Sequence, residues 1–128
     1  MERIKLELTF SFECTKHDLF LALSKPNHLR NWIAPKVAFN EDTGTYTFGW
    51  GKSSDSAKIV EEEKDKFLKW EWVGGDRSAH EFVSFKIVSI PGDSMIDLQI
   101  TDFCDANERK ILTSGWEKQM ARLENLLR

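Results

Sequence analysis

The last quarter of the chain places the tightest constraint on its fold. From Asp105 to Arg128 there is no proline, and apolar side chains recur at Leu112, Trp116, Met120, Leu123 and Leu127. Spacings of three and four set these on one stripe of a 3.6-residue helix. Arg109, Lys110, Glu117, Lys118 and Arg122 fall on the opposite, solvated face. About 22 residues at 1.5 Å each make a rod of roughly 33 Å. A helix with one apolar stripe draws most of its stability from the surface that covers the stripe, so the rest of the chain has to build one.

The preceding sequence has the pattern of such a surface. Ile4, Leu6, Leu8, Phe10 and Phe12 alternate with polar residues, which is the period of a half-buried strand. Thr15 and Asp18 mark a helix start, with Leu19, Phe20 and Leu23 as its apolar side. Pro26 suits the first position of a second short helix carrying Leu29, Trp32 and Ile33. Pro35 stops that helix, because the residue before a proline is pushed out of helical geometry. From residue 36 the period is two. Val37 with Phe39, then Tyr46, Phe48 and Trp50, make two strands; a strand over 56–63 centres on Ile59. Leu68, Trp70 and Trp72 share one face of the next. Residues 81–90 carry Val83, Phe85 and Ile87 on one face and Phe82, Val88 and Ile90 on the other, and Ile96, Leu98 and Ile100 follow.

Turn clusters separate these runs at residues 40–44, 51–55 and 74–77 and at Pro91–Gly92. Connections this short join antiparallel neighbours. Seven strands about 4.8 Å apart span roughly 29 Å, close to the length of the terminal rod. The expected fold is therefore α+β: a curved seven-stranded antiparallel sheet around a long C-terminal helix. Two short helices follow the first strand, and residues 1–128 form a single domain.

Composition narrows the function classes. With 41% hydrophobic and 30% charged residues and a formal charge of −3, the chain lacks the basic clusters that bind nucleic acid. No apolar run approaches the ~20 residues of a membrane span, and the first residues show no secretory apolar block, so a cytoplasmic protein is expected. Five Trp, nine Phe and one Tyr make for a bulky core.

Three segments carry a resemblance to a known family. They are Leu19–Pro26 followed by Leu29 and Trp32, then Phe67–Trp72, then Gly115–Leu123. Their order and spacing resemble the START-like superfamily (SRPBCC, helix-grip fold), in the branch related to activators of a heat-shock chaperone ATPase. The resemblance covers essentially the whole chain. It implies a cavity between the concave sheet face and the last helix, suited to a small hydrophobic or amphipathic molecule. Alternation points Tyr46, Phe48, Ile59, Leu68, Trp70, Val83, Phe85 and Leu98 inward, facing Trp116 and Met120. These ten are the candidate ligand-binding residues if the space is open, and a solid core if the rings fill it. The resemblance also places the first and last strands side by side and antiparallel. Cys14 and Cys104 would then lie at opposite ends, beyond the ~7 Å reach of a disulfide.

Catalytic signals are sparse. There is no nucleophile elbow and no glycine-rich phosphate loop. His17, His28 and His80 are not spaced with second ligands, so no metal and no cofactor is expected. His80 beside Glu81 is the one candidate acid–base pair, and Tyr46 is the one titratable group that alternation turns inward. Binding of a small apolar molecule is the leading expectation. A partner-binding or co-chaperone-like surface and a cyclase or dehydratase activity are the alternatives.

Overall fold

The computed structural model describes residues 3–73, 81–89, 91–92 and 94–127. Ten elements follow one another: β1 (Arg3–Phe12), α1 (Lys16–Ser24), α2 (Pro26–Leu29), β2 (Lys36–Asn40), β3 (Thr45–Trp50), β4 (Ser53–Glu63), β5 (Phe67–Trp72), β6 (Val83–Ser89), β7 (Ile96–Asp105) and α3 (Arg109–Leu127). A 3₁₀ turn over Ala106–Glu108 leads into α3. The seven strands form one antiparallel sheet in the order β1-β7-β6-β5-β4-β3-β2. Helix α3 lies against β1, β7 and α1. This is the antiparallel sheet with a long C-terminal helix that the periodicities predict, with β1 beside β7 as the family resemblance implies. Among the described residues, no helix is long and apolar enough to cross a membrane.

Local chemistry accounts for the boundaries. The Thr15 hydroxyl accepts from the Asp18 N–H at 3.0 Å and caps α1, and Pro26 opens α2. Helix α2 is a single turn, shorter than the sequence suggests. After Leu29 the chain continues in mixed i→i+3 and i→i+4 bonds, while Trp32 turns inward and donates its indole N–H to the Ala22 carbonyl at 2.8 Å. Leu29, Trp32 and Ile33 are nevertheless all buried. Strand β4 begins at Ser53, because Gly51 takes a positive φ of 66° and closes a two-residue hairpin at the Trp50–Ser53 pair. Strand β7 runs on to Asp105, past the end of its apolar alternation, and pairs with β1 along its full length. The Asp105 carboxylate makes no cap bond; it accepts from Arg3 at 3.1 Å.

The core is an aromatic ladder across the concave face. Phe48 to Trp70 is 5.6 Å between centroids, Trp70 to Phe85 is 5.0 Å, and Phe85 to Trp116 on α3 is 5.8 Å. On the convex face, Phe82 packs edge-on to Phe103 beneath the Lys69 ammonium, which explains the second apolar face before and within β6. Cys104 pairs with Ile4 at one end of β1, while Cys14 lies beyond the other end. Both thiols are free, as that separation requires.

Phe85 is fully buried and Ile111 is 74% exposed. Phe85→Ala is expected to cost about 3–5 kcal/mol, and Ile111→Ala less than about 0.5 kcal/mol. Urea midpoints of the two variants check this; equal midpoints would contradict the ladder as the centre of the core.

Candidate ligand site

Between α3 and the sheet there is a cavity of about 300 Å³. Its wall combines Trp70 and Trp72 of β5, Trp50 at the end of β3, Trp116 of α3, Val83, Ile33, Leu112, and the polar groups Asp102 and Gln119. Four of the chain's five tryptophans thus meet at one hollow. Trp50 is 39% exposed, and with Ile111 it forms the outer lip. Gly115 stands in the wall contributed by α3, and a Cβ built there would meet no atom within 4 Å. A glycine inside a helix costs roughly 1 kcal/mol relative to alanine; here it leaves open the space that a side chain would take.

The polar groups of this wall are held in place. Asp102 pairs with Leu6 across the β1–β7 ladder and so occupies an inward position where the alternation calls for an apolar residue. Its Oδ2 accepts from the Trp116 Nε1 at 3.0 Å, and its Oδ1 from the Phe103 N–H at 2.8 Å. Trp50 donates its Nε1–H to the Ile33 carbonyl at 3.0 Å, tying the loop after α2 to the lip. The buried Trp70 N–H has no acceptor among the described residues.

The ten inward residues separate into three groups. Trp70, Val83 and Trp116 line the α3 cavity. Tyr46 and Ile59 line a second, larger cleft of about 720 Å³ between α1–α2 and β2–β4. Phe48, Leu68, Phe85, Leu98 and Met120 are core residues, each at most 3% exposed. Open space and filled core therefore coexist, with the aromatic ladder dividing two hollows.

Titratable groups bordering the two hollows are more numerous than alternation implies. A β-bulge between Ile59 and Glu61 shifts the register, so that Ile59 opposes Trp70 and Glu62 opposes Leu68. The extra residue turns Glu62 toward the second cleft. No sequence signal marked the bulge. Asp102 was legible only as a break in the alternation. In the same cleft the Tyr46 hydroxyl donates to the Ser24 carbonyl, and burial, with Glu62 adding to it, pushes its pKa up. His17 Nδ1 lies 2.9 Å from Asp65 Oδ1, joining α1 to the β4–β5 turn, where Asp65 has a φ of 63°. His80, the proposed acid–base partner of Glu81, lies outside the described residues; Glu81 itself pairs with Arg3. Among the described residues no cluster of three His, Cys, Asp or Glu is placed to hold a metal ion.

Comparison with known proteins decides the family. A sequence model of the START-like superfamily domain matches residues 1–128. The chain belongs to the START-like superfamily. No curated protein is found to match it. Among solved structures, this START-like domain is similar to the Aha1 dimer from Colwellia psychrerythraea, with a TM-score of 0.80 and 12% identity over 97% of this chain and 96% of that one. It is also similar to BfR322 from Bacteroides fragilis, with a TM-score of 0.69 and 27% identity over 98% and 92%. DynU16, a putative protein in the dynemicin biosynthetic locus, matches at TM-score 0.78 and 18% identity, over 96% of this chain and 46% of that one. At such identities the first and third likenesses are ones of fold.

Tyr46 gives a pH prediction. Its folded pKa is raised above the unfolded value of about 10. The neutral phenol's contribution is complete below that value and is lost as pH rises toward the folded pKa. Urea midpoints are therefore expected to fall above about pH 10, and Tyr46→Phe to flatten that decline; an identical alkaline limb in the variant would contradict it.

Proposed function

We propose that this START-like domain, one unit over residues 1–128, is a cytoplasmic binding protein for a small, largely apolar molecule held in the α3 cavity. One observation carries the reading: four indoles surround a hollow that Gly115 leaves open on the helix side. A mostly apolar concave site with a few convergent polar groups is the usual form of a ligand pocket. At about 300 Å³ the space holds roughly ten waters at ~30 Å³ each. It therefore suits a molecule of one or two rings and is too small for a whole phospholipid. The exposed apolar groups support the same reading, because Trp50 and Ile111 flank the opening where a ligand would enter.

Gly115 supplies the test. Gly115→Ala fits without contact and is expected to raise stability by about 0.5–1 kcal/mol. Gly115→Phe projects a ring into the opening. N-phenyl-1-naphthylamine, a neutral fluorescent probe, should brighten on the native protein and on Gly115→Ala and lose at least tenfold in affinity for Gly115→Phe, while the melting temperature of Gly115→Phe stays near native. Equal affinity for all three, or no binding to any, would overturn the α3 cavity as the site.

A further inference from the structure

The polar groups of the α3 wall narrow the ligand further. We infer that the α3 cavity selects a ring compound bearing an amide or lactam group, paired edge to edge with the Gln119 carboxamide. The inference rests on the cavity being a ligand site; it names the class of molecule and the residue that recognises it.

Following each polar side chain of the wall to its partner leads to Gln119. Trp50 and Trp116 donate their Nε1–H groups to the Ile33 carbonyl and to Asp102. Trp72 has a partner of its own. The Trp70 N–H is enclosed by the packing around it and out of reach of solvent. Asp102 accepts from Trp116 and Phe103 and is engaged beyond those two bonds. Gln119 differs from all of these. It lines the cavity half-buried, and among the described residues its side chain makes no hydrogen bond. It stands about one turn of α3 beyond Gly115, where no side chain closes the space. A carboxamide presents an acceptor and a donor side by side. A wholly apolar ligand would take water from both and return nothing, which costs affinity. An amide or lactam carries N–H and C=O on one edge and meets both at once, the two-bond pairing by which glutamine reads a donor–acceptor edge. A site built to hydrogen-bond such a group rejects the analogue that lacks it, because its own polar atoms are then left unpaired.

An isosteric series separates pairing from shape. 2-Naphthamide donates and accepts, 2-acetylnaphthalene only accepts, and 2-isopropylnaphthalene does neither. Affinities are read by displacement of N-phenyl-1-naphthylamine. On the native protein the amide should bind about tenfold more tightly than the hydrocarbon, with the ketone between them. The side-chain NH2 signals of Gln119 should shift as the amide is added. Gln119→Met keeps the length of the side chain and its helix propensity while removing both polar groups. It should bring the amide to within about twofold of the hydrocarbon and leave the hydrocarbon bound at least as well. Gln119→Leu should do the same and serves if Gln119→Met melts early. If the amide has no advantage over the hydrocarbon on the native protein, or keeps its advantage in both variants, the inference falls while the cavity stands. If, besides, N-phenyl-1-naphthylamine ignores Gly115→Phe, the binding reading itself falls.

Discussion

The contact between Trp116 and the concave sheet is what the architecture depends on. Helix α3 buries Trp116, Met120 and Leu123 and exposes most of the rest, so it has little to hold it except this stripe. Trp116 serves two purposes at once. Its ring extends the ladder of Phe48, Trp70 and Phe85 from the sheet onto the helix. Its N–H is bound by Asp102 on β7, which sets the rotation of the helix about its axis. The ring supplies apolar burial, which is strong and without direction, and the hydrogen bond supplies direction. Together they fix which side of α3 faces the sheet, and therefore that Gly115 lies over the hollow.

The rest of the fold holds the sheet in the shape that this contact needs. Trp32 anchors the segment between α2 and β2 through its bond to the Ala22 carbonyl, and Trp50 anchors the same segment to β3 through Ile33. The β4 bulge adds local twist, which bends the sheet around its contents, and it also moves Glu62 from the solvent side to the second cleft. One irregularity thus affects both curvature and chemistry. The His17–Asp65 pair joins α1 to the turn just beyond, at the rim of that cleft. Both partners are partly exposed, so the pair adds little to stability.

The architecture was legible in the sequence because it rests on periodicities. Period two in Tyr46–Phe48–Trp50 and Leu68–Trp70–Trp72, and period 3.6 in Leu112–Trp116–Met120–Leu123, each follow from one side of an element being covered. Boundaries were less legible. Strand β7 continues past Ile100 through hydrogen bonding to β1, which leaves no trace in side-chain type. The site was half legible: alternation identifies inward residues, but which of them border empty space depends on how volumes add up across several elements. Phe48 and Phe85 read the same as Trp70 and Val83, and all four are buried in the core, yet only the latter two also border the α3 hollow. Glu62 was hidden because a single inserted residue inverts facing, and single-residue register shifts carry no compositional mark.

Where the chain departs from the rules that specify its fold is informative in itself. Gly115 weakens the one helix the fold most needs. Asp102 puts a carboxylate on an inward position of a central strand. Trp70 buries a donor with no acceptor among the described residues, and Trp50 leaves an indole partly in water. Each acts against stability, and an apolar residue or an alanine would suit the fold better. Chance would scatter four such choices over the molecule; these four all border one cavity of about 300 Å³. The proposed ligand site accounts for local sacrifices that converge on one place. On that proposal the hollow under α3 is the feature the surrounding packing keeps open, and the four departures are its cost in stability.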